Sequence, residues 1–228
     1  MTADAAPRTL AEEVRTPRAA GIAGIAFAIV MATVVVLMRL AAPLAGHNTQ
    51  WLTHDTQRTQ VTIAVSLIPY AGIAFMWFIG VIRTRIGAQE DRLFATVFLG
   101  SGLLFVAMLF AGGAVMGAVL TMYSTQHSLS DDQAHMAAAL SSVLLTTFGI
   151  RMAALFTMIA TNLGRRTKII PKWLIVFGFV VGLLMMFAPI GNRWAILIFP
   201  LWVFVLSVQI ILASGRAVPA AVTPETSA

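Results

Sequence analysis

The chain contains no cysteine among its 228 residues, which excludes disulfides, thiolate metal sites, iron–sulfur clusters and cysteine nucleophiles. Charge is scarce as well. Asp, Glu, Lys and Arg make up 11% of the residues, about half the share of an ordinary soluble domain. The only lysines, Lys168 and Lys172, share one polar connection, so no apolar run offers the amine of a retinal Schiff base. No histidine lies inside an apolar run, which removes haem held between helices. Phosphate-binding loops and dinucleotide fingerprints are absent too, and no cofactor is expected.

What is abundant is hydrocarbon: 59% of the residues are hydrophobic, and long uncharged runs recur along the whole chain. About 20 apolar residues carry a helix across a hydrocarbon core, so these runs read as transmembrane helices. Six are expected, at about 21–42, 60–82, 93–121, 135–163, 173–190 and 194–213, giving an all-α polytopic bundle. Residues 1–20 are polar, and residues 214–228 are proline-bearing and polar; both are expected to be flexible tails. A signal peptide is the rival reading of the first run. Its core is longer than the 7 to 15 residues of such peptides, and Arg39 stands where a small-residue cleavage site should begin, which favours an uncleaved helix.

The basic residues are not evenly spread. Arg8, Arg15 and Arg18, then Arg83, Arg85 and Arg92, then Arg165, Arg166, Lys168 and Lys172, and finally Arg216 all fall on one side of the alternating spans. The positive-inside rule makes that side cytoplasmic and puts both termini inside. Topology thus accounts for the net charge of +6, leaving a nucleic-acid role unsupported. The RRTKIIPK run could attract anionic headgroups, but orientation alone explains it.

Local signals mark the helix ends. SLSDDQAHM fits a helix start, with Ser130 as N-cap, Gln133 as its capping-box partner, and Asp131 and Asp132 at the positive end of the dipole. Glu90 and Asp91 do the same for the third span. Trp51, Trp173 and Trp194 are expected near the membrane interfaces. Gly113 with Gly117, and Gly178 with Gly182, are small pairs at helical spacing. They allow close helix packing within the bundle, with homodimerisation as the alternative.

TTFGIRMAALF, residues 146–156, holds a lone arginine inside the fourth span. A helix from Ser130 to Gly164 would extend roughly 50 Å, so its surplus turns should project at the outer side, with Arg151 roughly 10 to 15 Å below that boundary. Helical side chains lean toward their own N-terminus, which tilts the guanidinium outward. No span supplies an aspartate or glutamate to pair with it. Ser66, Tyr70, Gly112 and Gly113 lie at similar depth, and Pro69 and Pro200 free the carbonyls of Val65 and Ile196. These groups are expected to meet Arg151 and Thr147 around a small outward-facing polar cavity, for which an anion or lipid headgroup is the fitting ligand. An arginine that only snorkels is the bland alternative.

The histidines form a second constellation. His47, His54, His127 and His135 fall on the expected outer side with Asp131, and together they have the donor chemistry of a zinc or other divalent site. No HExxH or comparable ligand motif accompanies them. The LGSG at 99–102 resembles the serine motif of intramembrane rhomboid proteases, but its first glycine is displaced and no span supplies a histidine base, so Ser101 reads as a packing residue.

PYAGIAFMWFIGVIRTRIGAQEDRLFATVFLGSGLLFVAM, residues 69–108, resembles a group of multi-pass actinobacterial membrane proteins with no established activity. That resemblance implies a bacterial inner-membrane protein and assigns no site residue. The expected role is a non-enzymatic transporter-like protein or accessory subunit. The expected partners are the bilayer, an anionic lipid or small anion, and a second copy or another membrane protein. The alternative is an intramembrane enzyme acting on lipid or cell-envelope substrate, with a metal on its outer face.

Overall fold

The computed structural model describes residues 17–41, 50–86, 92–126, 129–166, 170–187 and 195–216, and no strand occurs among them. The helices are α1 (Pro17–Ala41), α2 (Gln50–Thr53), α3 (Asp55–Ile86), α4 (Arg92–Gln126) and α5 (Asp131–Val143). A π-helical segment (Leu144–Gly149) follows, and then α6 (Ile150–Arg166), α7 (Lys172–Met186) and α8 (Ala195–Arg216). Five stretches are long and apolar enough to cross a membrane: Ala19–Ala41, Asp55–Arg83, Leu93–Thr125, Asp131–Arg166 and Ile196–Ala213. The sixth expected span is shorter. α7 has 15 residues and rises about 22 Å, less than a hydrocarbon core of about 30 Å, and the rest of that span, 188–190, lies outside the described residues.

One end of the bundle gathers Arg83, Arg92, Arg165, Arg166 and Lys172. There the Arg166 guanidinium lies over the Phe94 ring at 4.8 Å. The opposite end is closed by a small cluster of Ala41, Trp51, Leu52, Val61, Met116, Val119 and Ala134, which joins the ends of α1, α3, α4 and α5 under α2. Arg58 fastens that lid by donating to the Leu52 carbonyl at 3.0 Å, pairing with Asp55, and lying over the Tyr123 ring at 5.7 Å. Trp51 is therefore buried in the lid and does not face the headgroups, whereas Trp173 at the other end is exposed. Trp194, Glu90 and Asp91 lie outside the described residues.

The expected start of the fourth span is present. Gln133 donates its backbone N–H to the Ser130 hydroxyl at 3.3 Å, and the Gln133 side-chain oxygen accepts from the Ser130 N–H at 3.2 Å. Its surplus turns do not stand apart, because α5 packs along α4, where the Ser141 hydroxyl donates to the Gly112 carbonyl at 3.0 Å.

Small residues set the close helix contacts inside the chain. Gly178 faces Thr161 and Gly182 faces Met158 and the Ala154 carbonyl, which holds α7 antiparallel against α6. Gly113 packs on Ile68, and Gly117 is nearest Val65, across the α3–α4 contact. Gly21 against Ile211 and Gly24 against Ser207 fix α1 antiparallel to α8. Ser101 is buried and donates to the Phe98 carbonyl of its own helix, as a packing residue does.

The core centres on Phe75 of α3. Rings from four other helices surround it: Phe27 of α1 at 4.7 Å, Phe156 of α6 at 5.1 Å, Phe105 of α4 at 5.3 Å and Phe199 of α8 at 5.4 Å. Edge-to-face aromatic pairs favour this geometry over random packing, and one ring thereby joins five helices.

Candidate functional site

α3 has a buried face built on Ala64, Ile68, Ala71 and Phe75. Residues two positions from Ile68 stand about 200° around the helix, so Ser66 and Tyr70 fall on the opposite, exposed face. Tyr70 is 65% exposed, and the Ser66 hydroxyl donates to the Thr62 carbonyl of its own helix at 2.8 Å. The structure does not bring either residue to Arg151.

Arg151 is half-buried beside the buried Ile150, and its guanidinium reaches back four residues to donate to the Thr147 carbonyl at 2.7 Å. The outward lean expected of a helical side chain is thus present, but it ends on the same helix. The Thr147 hydroxyl is buried without a hydrogen-bond partner among the described residues. Arg151→Leu is accordingly expected to change stability by less than about 1 kcal/mol, the scale of one hydrogen bond, in a reversible unfolding titration. A loss several times larger would show that Arg151 holds more of the bundle than its own turn.

A cavity is found elsewhere among the described residues. A space of about 100 Å3 opens between α1, α3, α4 and the α5–π segment, in the half of the bundle closed by the α2 lid. Ile196 of α8 completes its wall. Of the groups expected to line a cavity, Gly112, Gly113 and Ile196 do so; Arg151, Thr147, Ser66 and Tyr70 do not. The polar part of the lining is Arg39 of α1 with Ser141, Ser142 and Thr146, and Arg39 is the only charged residue among the described ones.

Local backbone structure creates this space. Two consecutive positions on each of α1 and α4 beside the cavity carry short or absent side chains, Val34 and Val35 on one and Gly112 and Gly113 on the other. The π-helical segment widens the facing helix, and the Ile150 N–H bonds five residues back to the Leu145 carbonyl. Wide turns of this kind commonly mark functional positions. Leu145 and Thr146 of the segment both line the cavity, and the Thr146 hydroxyl donates to the Ser142 carbonyl at 2.8 Å.

Among the described residues of the cavity lining, Arg39 is the charged group, and no carboxylate or imidazole accompanies it. A guanidinium in the lining of a water-poor space favours an anion, and its five N–H donors leave some for a ligand even when the protein engages others. Arg39 stands at the end of the first apolar run, where any span can carry a charge, so its position alone does not mark it as a site residue. The available signal was a charge at the edge of an apolar run, much as a charge inside one singled out Arg151.

The histidine constellation does not assemble among the described residues. His54 is exposed, His135 is half-buried four residues after the exposed Asp131, and no three metal-ligating side chains gather. His47 and His127 lie outside the described residues. No protein-family model, curated protein or solved structure matches the chain.

Proposed function

We propose that the chain is a non-enzymatic component of a bacterial inner membrane, transporter-like or accessory, that holds an anionic ligand in the cavity at Arg39. The observation that carries this reading is the Arg39 guanidinium at a cavity whose other described lining residues are uncharged. The ligand is a free anion or the headgroup of an anionic lipid, since both offer Arg39 the same oxygens. In this reading the chain crosses six times with both termini cytoplasmic, and the cavity sits in the outer half. The gathering of basic residues at one end supports that orientation. A crossing by α7 is supported by chain direction: α6 and α8 both finish at the basic end, so the chain must return between them, and α7 runs antiparallel to α6.

Two measurements test this. The chain has no cysteine of its own, so single substitutions report sidedness: Asp132→Cys should react with an impermeant maleimide on intact cells, and Lys168→Cys only after permeabilisation. The reverse pattern would overturn the orientation. For the ligand, phosphate or an anionic lipid at about 100 times its dissociation constant should stabilise the purified protein by about 2.7 kcal/mol. A thermal midpoint indifferent to both would sink the anion reading.

A further inference from the structure

A free anion and an anionic headgroup present the same chemistry to Arg39, but the rest of the cavity distinguishes them. Only four of the sixteen described residues that line it are polar. Two of the three hydroxyls are already committed, Ser141 to the Gly112 carbonyl and Thr146 to the Ser142 carbonyl. A small oxyanion in the cavity would find Arg39 and few uncommitted donors amid hydrocarbon, where unsatisfied charge is costly. An alkyl chain meets the opposite condition, because it supplies the dispersion partners that Val35, Leu109 and Leu145 lack while the space is empty.

We infer that the ligand is an anionic amphiphile, with its charged head at Arg39 and the first carbons of one alkyl chain inside the cavity. This rests on the anion reading above. A dry cavity of about 150 Å3 accommodates a six-carbon benzene ring, so the space here accommodates roughly four carbons. A longer chain extends beyond it. Filling a void of this size strengthens binding roughly 50-fold at about 24 cal/mol per Å3, and a side chain that occupies half of it weakens binding about sevenfold. Ala138 lines the space without belonging to its polar part, so Ala138→Leu is such a substitution.

The test uses the full chain in nanodiscs of zwitterionic lipid and decyl phosphate carrying a photoactivatable diazirine, placed either at the fourth carbon or at the tail end. Adducts are mapped by peptide mass spectrometry. The fourth-carbon probe should label cavity residues such as Val35, Leu109 or Leu145, while the tail-end probe labels lipid-facing Leu104 or Met122. Unlabelled decyl phosphate should suppress the cavity adduct, and inorganic phosphate and decanol should not. Ala138→Leu, shown to be folded by an unchanged elution profile, should lower the adduct about sevenfold.

Suppression by inorganic phosphate at the same concentration would overturn the alkyl-chain inference and leave the anion reading standing. Suppression by decanol, or an undiminished adduct in Arg39→Gln, would overturn the anion reading and the inference with it. Adducts confined to Leu104 and Met122 for both probes would overturn the inference alone, provided phosphate still raises the thermal midpoint.

Discussion

Phe75→Ala is expected to lower the stability of the bundle by about 3 kcal/mol, the largest effect of any single truncation in the core. Phe75 is fully buried, and its ring meets those of Phe27, Phe105, Phe156 and Phe199 at centroid separations of 4.7 to 5.4 Å. In a soluble protein the same truncation costs about 3–5 kcal/mol, part of it from lost transfer out of water. A bilayer is as apolar as the core, so that part shrinks, and the void and the lost ring contacts remain. Each aromatic pair is worth about 0.5–1.5 kcal/mol beyond its area, and four inter-helix pairs are lost together, which sets the estimate at the lower end of the soluble range. Reversible unfolding in mixed micelles reads this directly. Ile73→Ala on the lipid-facing side of the same helix, 56% exposed, is the comparison and should cost well under about 1 kcal/mol. Equal losses at the two positions would show that the aromatic hub is not what joins the helices.

Arg39→Gln is expected to weaken binding of an alkyl phosphate by about 10- to 100-fold while the protein remains folded. A charge-assisted hydrogen bond contributes about 1.5–3 kcal/mol, and each 1.4 kcal/mol is tenfold in affinity. Glutamine keeps much of the length and some hydrogen-bonding capacity but loses the charge, and the described residues of the cavity lining include no second cation to replace it. Arg39→Lys should fall between the two, because an ammonium keeps the charge without the planar fork that grips two oxygens at once. Equilibrium binding of radiolabelled decyl phosphate gives all three affinities. A glutamine variant that binds as tightly as wild type would remove Arg39 from the site.

The helical architecture was legible in the sequence because hydrocarbon length is a strong constraint: only a spanning helix accounts for repeated runs of apolar residues in so weakly charged a chain. The Ser130–Gln133 capping box was legible for a similar reason, since its two hydrogen bonds depend on a local spacing of three residues. The candidate site was legible only in part. Depth along each helix can be counted from the sequence, and Gly112, Gly113 and Ile196 do line the cavity. Direction around each helix cannot be counted where every face is apolar. Ser66 and Tyr70 were thus at a plausible depth but on the outside of α3. The α5–π segment adds a local reason. A wide turn of six residues changes the helical register just before Arg151, so no regular extrapolation from Ser130 predicts where that side chain points. The Phe75 hub was hidden for the same reason, because its five rings come from separate runs that pattern alone cannot orient toward one another.

In the proposed function Arg39, and not Arg151, supplies the charge that the cavity offers a ligand. That assignment is tested most directly by measuring decyl phosphate binding to Arg39→Gln and Arg151→Leu side by side under one set of conditions. The expected result is a loss of about 10- to 100-fold for Arg39→Gln and a change within about twofold for Arg151→Leu, whose guanidinium is engaged with the Thr147 carbonyl of its own helix. Loss of binding in Arg151→Leu with Arg39→Gln unaffected would contradict the account.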